Sequence, residues 1–277
     1  MKKFCLLLIS ICLLTSCSND STTSNEPNPN LLQRVDFYPG TPNEKQWIFN
    51  NEGILTEIVK ADGTLVQDFI YDNNNRLIGS TVYHDDSTTE GHTFTYDSND
   101  FLTSVDGENI HYDNSLQAYY TGNLNSYYRL TKINSDKLLL EGRTIQVDND
   151  ESGFNETIWS EMLVYYSGNN VTSYHPNESC NYLTYDSNVN PLRNATLSIC
   201  RAFSFVQYSN WVDGQFNSTN NVLTHSYCAE DPESSVYHYT YNSNNLPQIQ
   251  TSDSYYHGVF ESTMTSIKYY YQGDLLP

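Results

Sequence analysis

The stretch FTYDSNDFL, residues 94–102, lies between two runs of alternating apolar and polar residues, and it decides the fold. A close copy, FIYDNNNRL, stands upstream at 69–77, and another, YTYNSNNLP, stands downstream at 239–247. Each copy places an aromatic residue before a cluster of Asp, Asn and Ser. Such clusters interrupt strands because their short polar side chains hydrogen-bond the nearby backbone. The copies therefore predict repeated reversals of the chain.

The residues after the aromatic position predict one kind of turn. The first after Tyr96 is Asp97, whose carboxylate can accept a hydrogen bond from the backbone two residues on. The fourth is Asp100, a type that tolerates a left-handed backbone, and the sixth is Leu102, which returns to an apolar face. Two other aromatic residues are followed by equivalent first, fourth and sixth residues: Asn50, Gly53 and Leu55 after Phe49, and Asp72, Asn75 and Leu77 after Tyr71. Each set predicts a β-hairpin with a four-residue turn.

Weaker copies of this pattern begin at Tyr165, Tyr185 and Tyr241. The first has Asn169 at the fourth place, the second carries one extra residue, and the third is one residue shorter before its Leu246. Hairpin loops tolerate such changes of length, so we expect turns at all three.

A second set of turns alternates with the first. Asp-Gly pairs, a strong short-range hairpin signal, stand at 62–63, 106–107 and 213–214, with a longer loop near Asp85-Asp86. Alternating turns at opposite ends predict an all-β, up-and-down antiparallel meander of hairpins without a long helix. Its strands have one apolar face, for example Tyr237, Tyr239 and Tyr241, or Leu197, Ile199, Phe203 and Phe205 in a strand predicted from Thr196 to Phe205. A sheet of this size must curl into a barrel-like or two-layer form to cover that face.

The first residues, MKKFCLLLISICLLTSC, predict an export signal rather than a membrane span, since the apolar run is short. Leu14-Thr15-Ser16-Cys17 resembles a bacterial lipobox, which implies cleavage before Cys17 and lipidation of that residue. We therefore divide the chain into a signal peptide at 1–16, a lipidated Cys and flexible tether at 17–32, and a single β domain at 33–277. The charge of the mature chain becomes −20 − 2 = −22, because Lys2 and Lys3 leave with the signal. So acidic a chain argues against nucleic acid as a partner.

The Tyr-Asp pattern followed by Gly or Asn and then Leu resembles the YD repeats of the RHS family. Together with the lipobox, it makes the chain similar to uncharacterised YD-repeat lipoproteins of Gram-negative bacteria, for which a porin-like fold is described. The resemblance covers the lipobox and about six turns, and its residues are turn residues. It therefore implies an architecture and an outer-membrane location, facing the periplasm or the exterior, but no chemistry.

Three cysteines remain after Cys17 in the mature chain: Cys180, Cys200 and Cys228. Cys180 and Cys200 lie at mirror positions about residue 190, and Cys200 and Cys228 about residue 214. Unbroken hairpins there would place all three at one level of the sheet. We predict a Cys180–Cys200 disulfide, with three reduced thiols as the alternative.

The sequence contains no catalytic motif that we could identify. Its acidic loop at 148–153 matches only the first half of a calcium loop, and we predict no metal site and no cofactor. Trp47, Trp159 and Trp211 are candidate stacking platforms for sugars, although aromatic residues also favour strands for structural reasons.

We expect a lipid-anchored envelope protein with a non-enzymatic binding or scaffold role. It would contact the membrane through its anchor alone, and a glycan or an envelope protein would be its partner. The alternatives are a glycan-binding accessory lipoprotein and a hydrolase that uses carboxylates distant in sequence.

Overall fold

The strands of this protein pair with their neighbours along the chain. The computed structural model describes residues 27–114, 118–123, 126–134, 137–147, 154–176, 181–203, 216, 218–227 and 233–277. Its strands are β1 (Leu32–Phe37), β2 (Lys45–Phe49), β3 (Leu55–Lys60), β4 (Leu65–Tyr71), β5 (Leu77–Tyr83), β6 (Thr89–Tyr96), β7 (Leu102–Val105), β8 (Glu108–Asn109), β9 (His111–Asp113), β10 (Ala118–Asn123), β11 (Ser126–Asn134), β12 (Lys137–Val147), β13 (Phe154–Ser167), β14 (Asn170–Pro176), β15 (Asn181–Val189), β16 (Asn220–Tyr227), β17 (Glu233–Tyr241), β18 (Pro247–Tyr256) and β19 (Val259–Tyr271). A helix, α1 (Pro191–Phe203), lies between β15 and β16.

The described strands form one antiparallel sheet. Consecutive strands pair from β1 to β8 and from β9 to β19, and β1 also pairs with β19, so that Val35 lies opposite both Trp47 and Tyr269. The sheet thus curls until its first and last strands are neighbours. It is not closed between β8 and β9, which follow each other along the chain. The predicted up-and-down, barrel-like meander is confirmed.

The turns after Phe49, Tyr71, Tyr96 and Tyr241 lie at one end of the sheet, which we call the turn rim (residues 50–54, 72–76, 97–101 and 242–246). Their fourth residues have positive φ angles, as predicted: 74° at Gly53, 60° at Asn75, 65° at Asp100 and 58° at Asn245. Glycine adopts this conformation without strain, and Asn and Asp tolerate it better than other residues do.

The first residue of each rim turn holds the turn together. The Asp97 carboxylate accepts hydrogen bonds from the backbone amides of Asn99 at 2.8 Å and Phe101 at 3.0 Å. The hydrogen bond from the Phe101 amide is the main reason that the pKa of Asp97 is lowered. The other three turns repeat both bonds, with the side chains of Asn50, Asp72 and Asn242 as acceptors. Asn and Asp are therefore interchangeable at this position because both supply a side-chain oxygen.

Three of the predicted turns differ in detail from the structure. The turn after Tyr241 has the same length as the others, and Pro247 occupies its sixth place. The turn after Tyr165 is a hairpin, but its left-handed residue is Gly168 rather than Asn169. The turn predicted after Tyr185 is wrong, because β15 continues to Val189 and leads into α1. The Asp-Gly turns at 62–63 and 106–107 are confirmed, and the pair at 213–214 lies outside the described residues.

The strand predicted from Thr196 to Phe205 is wrong, since α1 covers most of it. Asn190 caps this helix through a 3.1 Å hydrogen bond from the Leu192 amide, and Pro191 occupies the first helical position, where a missing amide hydrogen costs nothing. The apolar residues of α1 suit either period, because Ile199 and Phe203 lie four apart, on one face of a helix and also on one face of a strand.

The core lies between α1 and the concave side of the sheet, which we call the inner face. Leu192, Ala195, Ile199, Ala202 and Phe203 of the helix pack against buried residues of β1–β7 and β19. The Ser198 hydroxyl also accepts a 2.8 Å hydrogen bond from the Leu77 amide, which fixes the helix to the start of β5. The helix thereby covers part of the apolar face that a curled sheet alone would leave wet.

Candidate functional site on the inner face

Tyrosine hydroxyls bind neighbouring strands together on the inner face near the turn rim. The Tyr71 hydroxyl, at the end of β4, donates to the Leu55 carbonyl at the start of β3 at 2.6 Å. Four other tyrosines make the same contact between adjacent strands: Tyr96 to Leu77, Tyr185 to Val171, Tyr239 to Val222, and Tyr271 to Pro247. We call these contacts tyrosine clamps. They join the open ends of hairpins, and they account for Tyr71 and Tyr96 in the repeated stretch. In the third copy Tyr239 makes the clamp, whereas Tyr241 donates to Asp186.

Burial raises the pKa of several of the clamp hydroxyls. The pKa values of Tyr71, Tyr239 and Tyr271 lie above the ordinary value of tyrosine, with burial as the largest cause. These hydroxyls therefore remain protonated donors at any physiological pH. They are structural groups and do not supply a base.

Away from the rim, polar side chains replace apolar ones on the inner face. A small apolar cluster of Val164, Val171, Leu183 and Val222 is followed toward the opposite end by Tyr174, Asn181 and His225 on the adjacent strands β14, β15 and β16. Asn181 lies directly opposite both Tyr174 and Tyr227 in the sheet. The four side chains therefore share one patch, which we call the inner polar patch (Tyr174, Asn181, His225 and Tyr227).

Hydrogen bonds and ring contacts order the inner polar patch. The His225 Nε2 atom lies 2.8 Å from the Asn181 Oδ1 atom and 3.2 Å from the Tyr174 hydroxyl. The Asn181 side chain is buried, and the rings of His225 and Tyr227 lie 4.6 Å apart. The Nε2–H group of His225 can donate to the Asn181 Oδ1 atom, which accepts only. The patch thus offers aromatic faces beside an imidazole that is held in place by hydrogen bonds.

A second row of polar groups lies on the inner face of β17, β18 and β19. The Gln250 side chain is 0% exposed, and its Nε2 atom donates to the Tyr239 hydroxyl at 2.7 Å. Its Oε1 atom has no hydrogen-bond partner within the described ranges. The Ser266 and Ser252 hydroxyls lie 2.6 Å apart. The polar lining of the inner face therefore extends from β14 to β19.

A cluster of histidines and carboxylates lies on β6 and its neighbouring turns, on the β8 side of the opening between β8 and β9. The His92 Nδ1 atom is 2.9 Å from the Asp106 carboxylate, and its Nε2 atom is 3.6 Å from Glu90, which also lies 3.9 Å from His84. The His92 ring packs edge-on against Phe203 of α1. In the part of the chain that the structure describes, no group of three or more His, Cys, Asp and Glu side chains is arranged to hold a metal ion.

Asp186 is a half-buried hydrogen-bond acceptor that the sequence does not reveal. Its carboxylate accepts hydrogen bonds from both the backbone and side-chain amides of Asn188 and Asn221, and from the Tyr241 hydroxyl. Burial and this contact raise the pKa of Tyr241 to about 12. Asp186 accepts from the amide two residues on, as Asp97 does, but its second backbone donor is Asn221 of β16, and β15 continues to Val189 and then into α1.

Of the three tryptophans predicted as stacking platforms, the structure describes the side chain of Trp47. Trp47 is 7% exposed and packs between Phe37 and Phe216 in the core, and this packing accounts for its position. The side chain of Trp159 on β13 and all of Trp211 lie outside what the structure describes.

Of the cysteines predicted to be lipidated or to form the disulfide, the structure describes Cys200. Cys17, Cys180 and Cys228 lie outside the described residues. Cys200 lies in α1, not on a strand, with its sulfur 3.8 Å from the Thr196 hydroxyl, so the hairpin geometry that suggested a Cys180–Cys200 disulfide is wrong. Burial raises the pKa of the Cys200 thiol to about 12. The disulfide itself stays a prediction.

Comparisons with known proteins return loose structural similarities. No family model matches the chain, and no curated protein matches it. A porin-like protein from Bacteroides uniformis superimposes with a TM-score of 0.36 at 12% identity, covering 88% of this chain and 98% of its own. A porin-like protein from Bacteroides vulgatus superimposes with a TM-score of 0.38 at 13% identity, covering 88% of this chain and 99% of its own. None of the helical segments that the structure describes is long and apolar enough to cross a membrane.

Proposed function

We propose that this chain is a lipid-anchored protein of the bacterial envelope that binds a neutral ligand without transforming it. The observation that carries the binding role is the division of the inner face. On β1–β7 and β19 the inner face is filled by apolar side chains and α1, whereas on β14–β16 it carries the inner polar patch beyond a small apolar cluster. Polar side chains on the concave side of a sheet are costly unless they serve packing or a ligand.

The chemistry of the inner polar patch favours a neutral glycan as the ligand. The patch presents the rings of Tyr174, His225 and Tyr227, and the buried Asn181 side chain holds the His225 ring in place. Aromatic faces with polar edges are suited to the alternating apolar and hydroxyl surfaces of a sugar. The formal charge of −20 disfavours acidic glycans.

The envelope part of the proposal follows from the lipobox at 14–17 and is tested separately. In a Gram-negative host fed an alkyne analogue of palmitate, the parent chain should be labelled and should sediment with membranes. A Cys17→Ser variant should lose the label and the sedimentation. Labelling of that variant would refute Cys17 as the lipidation site.

The binding part of the proposal is tested on an array of neutral oligosaccharides with matched histidine variants. His225→Ala removes the ring at the centre of the inner polar patch. His238→Ala removes an exposed ring on the outer face of β17, where His238 contacts Asp253 at 3.0 Å. We expect His225→Ala to lose at least tenfold in affinity for any oligosaccharide that the parent binds, and His238→Ala to keep it. No binding by the parent, or equal binding by both variants, would refute the proposed site.

A further inference from the structure

The chain enters the sheet at the turn rim. The Asn28 amide donates to the Gln272 side chain at 3.1 Å, and the Gln272 amide donates to the Leu31 carbonyl at 2.9 Å. The Gln272 side chain also donates to the Asn51 carbonyl at 2.8 Å. These contacts fix residues 28–31 between the end of β19 and the turn after Phe49. Whatever precedes residue 28 therefore starts from the rim.

The length of the tether keeps the rim close to its anchor. Nine residues, 18–26, separate Cys17 from Pro27. Ten residue steps span at most about 35 Å when fully extended. The thirteen residues of β19 run from the opposite end to the rim, a distance of about 43 Å at 3.3 Å per residue. A lipid on Cys17 thus keeps the rim within about 35 Å of the anchor, which is less than the length of the sheet.

Exposed apolar side chains lie at the same end. Phe101, in the turn after Tyr96, is 62% exposed. Others lie within three residues of a rim turn or at the end of the chain: Ile70, Ile78, Ile249, Leu275 and Leu276. The opposite end also exposes apolar side chains, Val259 and Phe260, so the lipid attachment is what distinguishes the rim. Exposed apolar residues beside a lipid attachment are typical of surfaces that lie on a membrane.

The charges of the rim select the kind of lipid. Glu52, Asp97, Asp274 and the Asp72–Arg76–Asp100 cluster leave the rim with an excess of carboxylates. The hydrogen bonds that lower the pKa of Asp97 keep that carboxylate ionised. An anionic lipid surface would repel such a rim, and a zwitterionic surface would not.

From these observations we propose that the turn rim lies on the zwitterionic lipid surface that holds the anchor, with the inner polar patch directed away from it. The membrane contact then includes the rim as well as the anchor that the sequence predicts. This orientation depends on the lipidation of Cys17 in the proposed function. It makes the rim a membrane-contact surface and the opposite end the entry for a ligand.

Site-specific quenching tests the orientation on the lipidated chain in phosphatidylcholine vesicles. Asn73→Cys places a fluorophore in a rim turn, and Glu261→Cys places one on β19 near the opposite end; the parent labelled in the same way supplies the background of its own cysteines. With nitroxide-labelled headgroups, we expect quenching at position 73 to be at least threefold stronger than at position 261. Equal quenching in protein that sediments with the vesicles overturns the orientation alone. Protein that stays in the supernatant overturns the lipidation and, with it, the orientation.

A matched pair of phenylalanine variants tests the apolar contact. Phe101→Ser removes the exposed ring of the rim, and Phe260→Ser removes a ring of similar exposure, 53%, at the opposite end. Phe101→Ser should reduce quenching at position 73 by about half, and Phe260→Ser should leave it unchanged. Phosphatidylglycerol added to the vesicles should also reduce it. Insensitivity of the quenching to Phe101→Ser, or an increase with phosphatidylglycerol, would show that the rim does not lie on the lipid.

Discussion

Removal of one clamp hydroxyl should destabilise the protein by an amount that the structure sets. Tyr71→Phe keeps the ring and deletes only the hydroxyl that donates to the Leu55 carbonyl at 2.6 Å. Leu55 is fully buried, so its carbonyl has no water to replace the lost donor. A hydrogen bond contributes about 1 kcal/mol net, and a buried acceptor left without its donor adds a further penalty, so we expect a loss of about 1.5 kcal/mol. In a domain of this size that corresponds to a fall in Tm of about 4 °C.

The matched control for this prediction is Tyr83→Phe. Tyr83 is 36% exposed, and its hydroxyl donates to the Asp68 carboxylate at 2.9 Å, where water can take its place. We therefore expect Tyr83→Phe to leave Tm close to that of the parent. Thermal and urea unfolding followed by circular dichroism measure both variants. If Tyr71→Phe unfolds no earlier than Tyr83→Phe, the tyrosine clamps do not stabilise the sheet, and the explanation of the repeated tyrosine is wrong.

Three further predictions follow from buried or turn-forming groups. Above pH 10 the unfolded chain loses phenolic protons that the buried tyrosines of the folded protein keep. Four such groups should lower the free energy of unfolding by about 5 kcal/mol per pH unit, so phenolate absorbance at 295 nm should rise together with unfolding. Gradual ionisation of these tyrosines without unfolding would contradict their burial. Asp72→Ala removes both turn hydrogen bonds and should lower the free energy of unfolding in urea by about 1–2 kcal/mol. Asp72→Asn keeps the acceptor oxygen and should lower it by less than half as much. Equal losses in the two variants would show that the turn does not depend on that oxygen. Native alkylation with iodoacetamide at pH 8 should spare Cys200, whose pKa is raised to about 12, and unfolding after reduction should expose it; modification of Cys200 in the folded protein would contradict its burial.

The turns could be predicted from the sequence because their causes are local. The Asp97 side chain accepts from amides within four residues of itself, and the same holds for the first residue of every rim turn. Turn chemistry and the alternation of turns were therefore sufficient for the antiparallel meander. The tyrosine clamps were not predicted, because Tyr71 and Leu55 are sixteen residues apart and meet only after the strands pair.

The helix was missed for a different physical reason. Its apolar residues fit both periods, and the preceding Tyr185-Asp186 was interpreted as another turn. Asn190-Pro191 carried the decisive signal, an N-cap followed by proline at the first helical position. The choice between the two structures depends on Asn221, which occupies the acceptor that would have closed the turn. That residue is distant in sequence, so local patterns alone could not decide.

The same helix explains where the polar side chains of the inner face lie. It supplies Leu192 and Ile199 to a core that is otherwise built from β1–β7 and β19. At the rim, Phe49 has no hydroxyl with which to clamp the first strand, and the Leu31 carbonyl instead accepts the amide of Gln272, the residue after β19. The inner polar patch belongs to β14–β16, outside that core, and it lies beyond the small apolar cluster on the side away from the rim. This is why the ligand site and the lipid-contacting rim are assigned to opposite ends of the molecule.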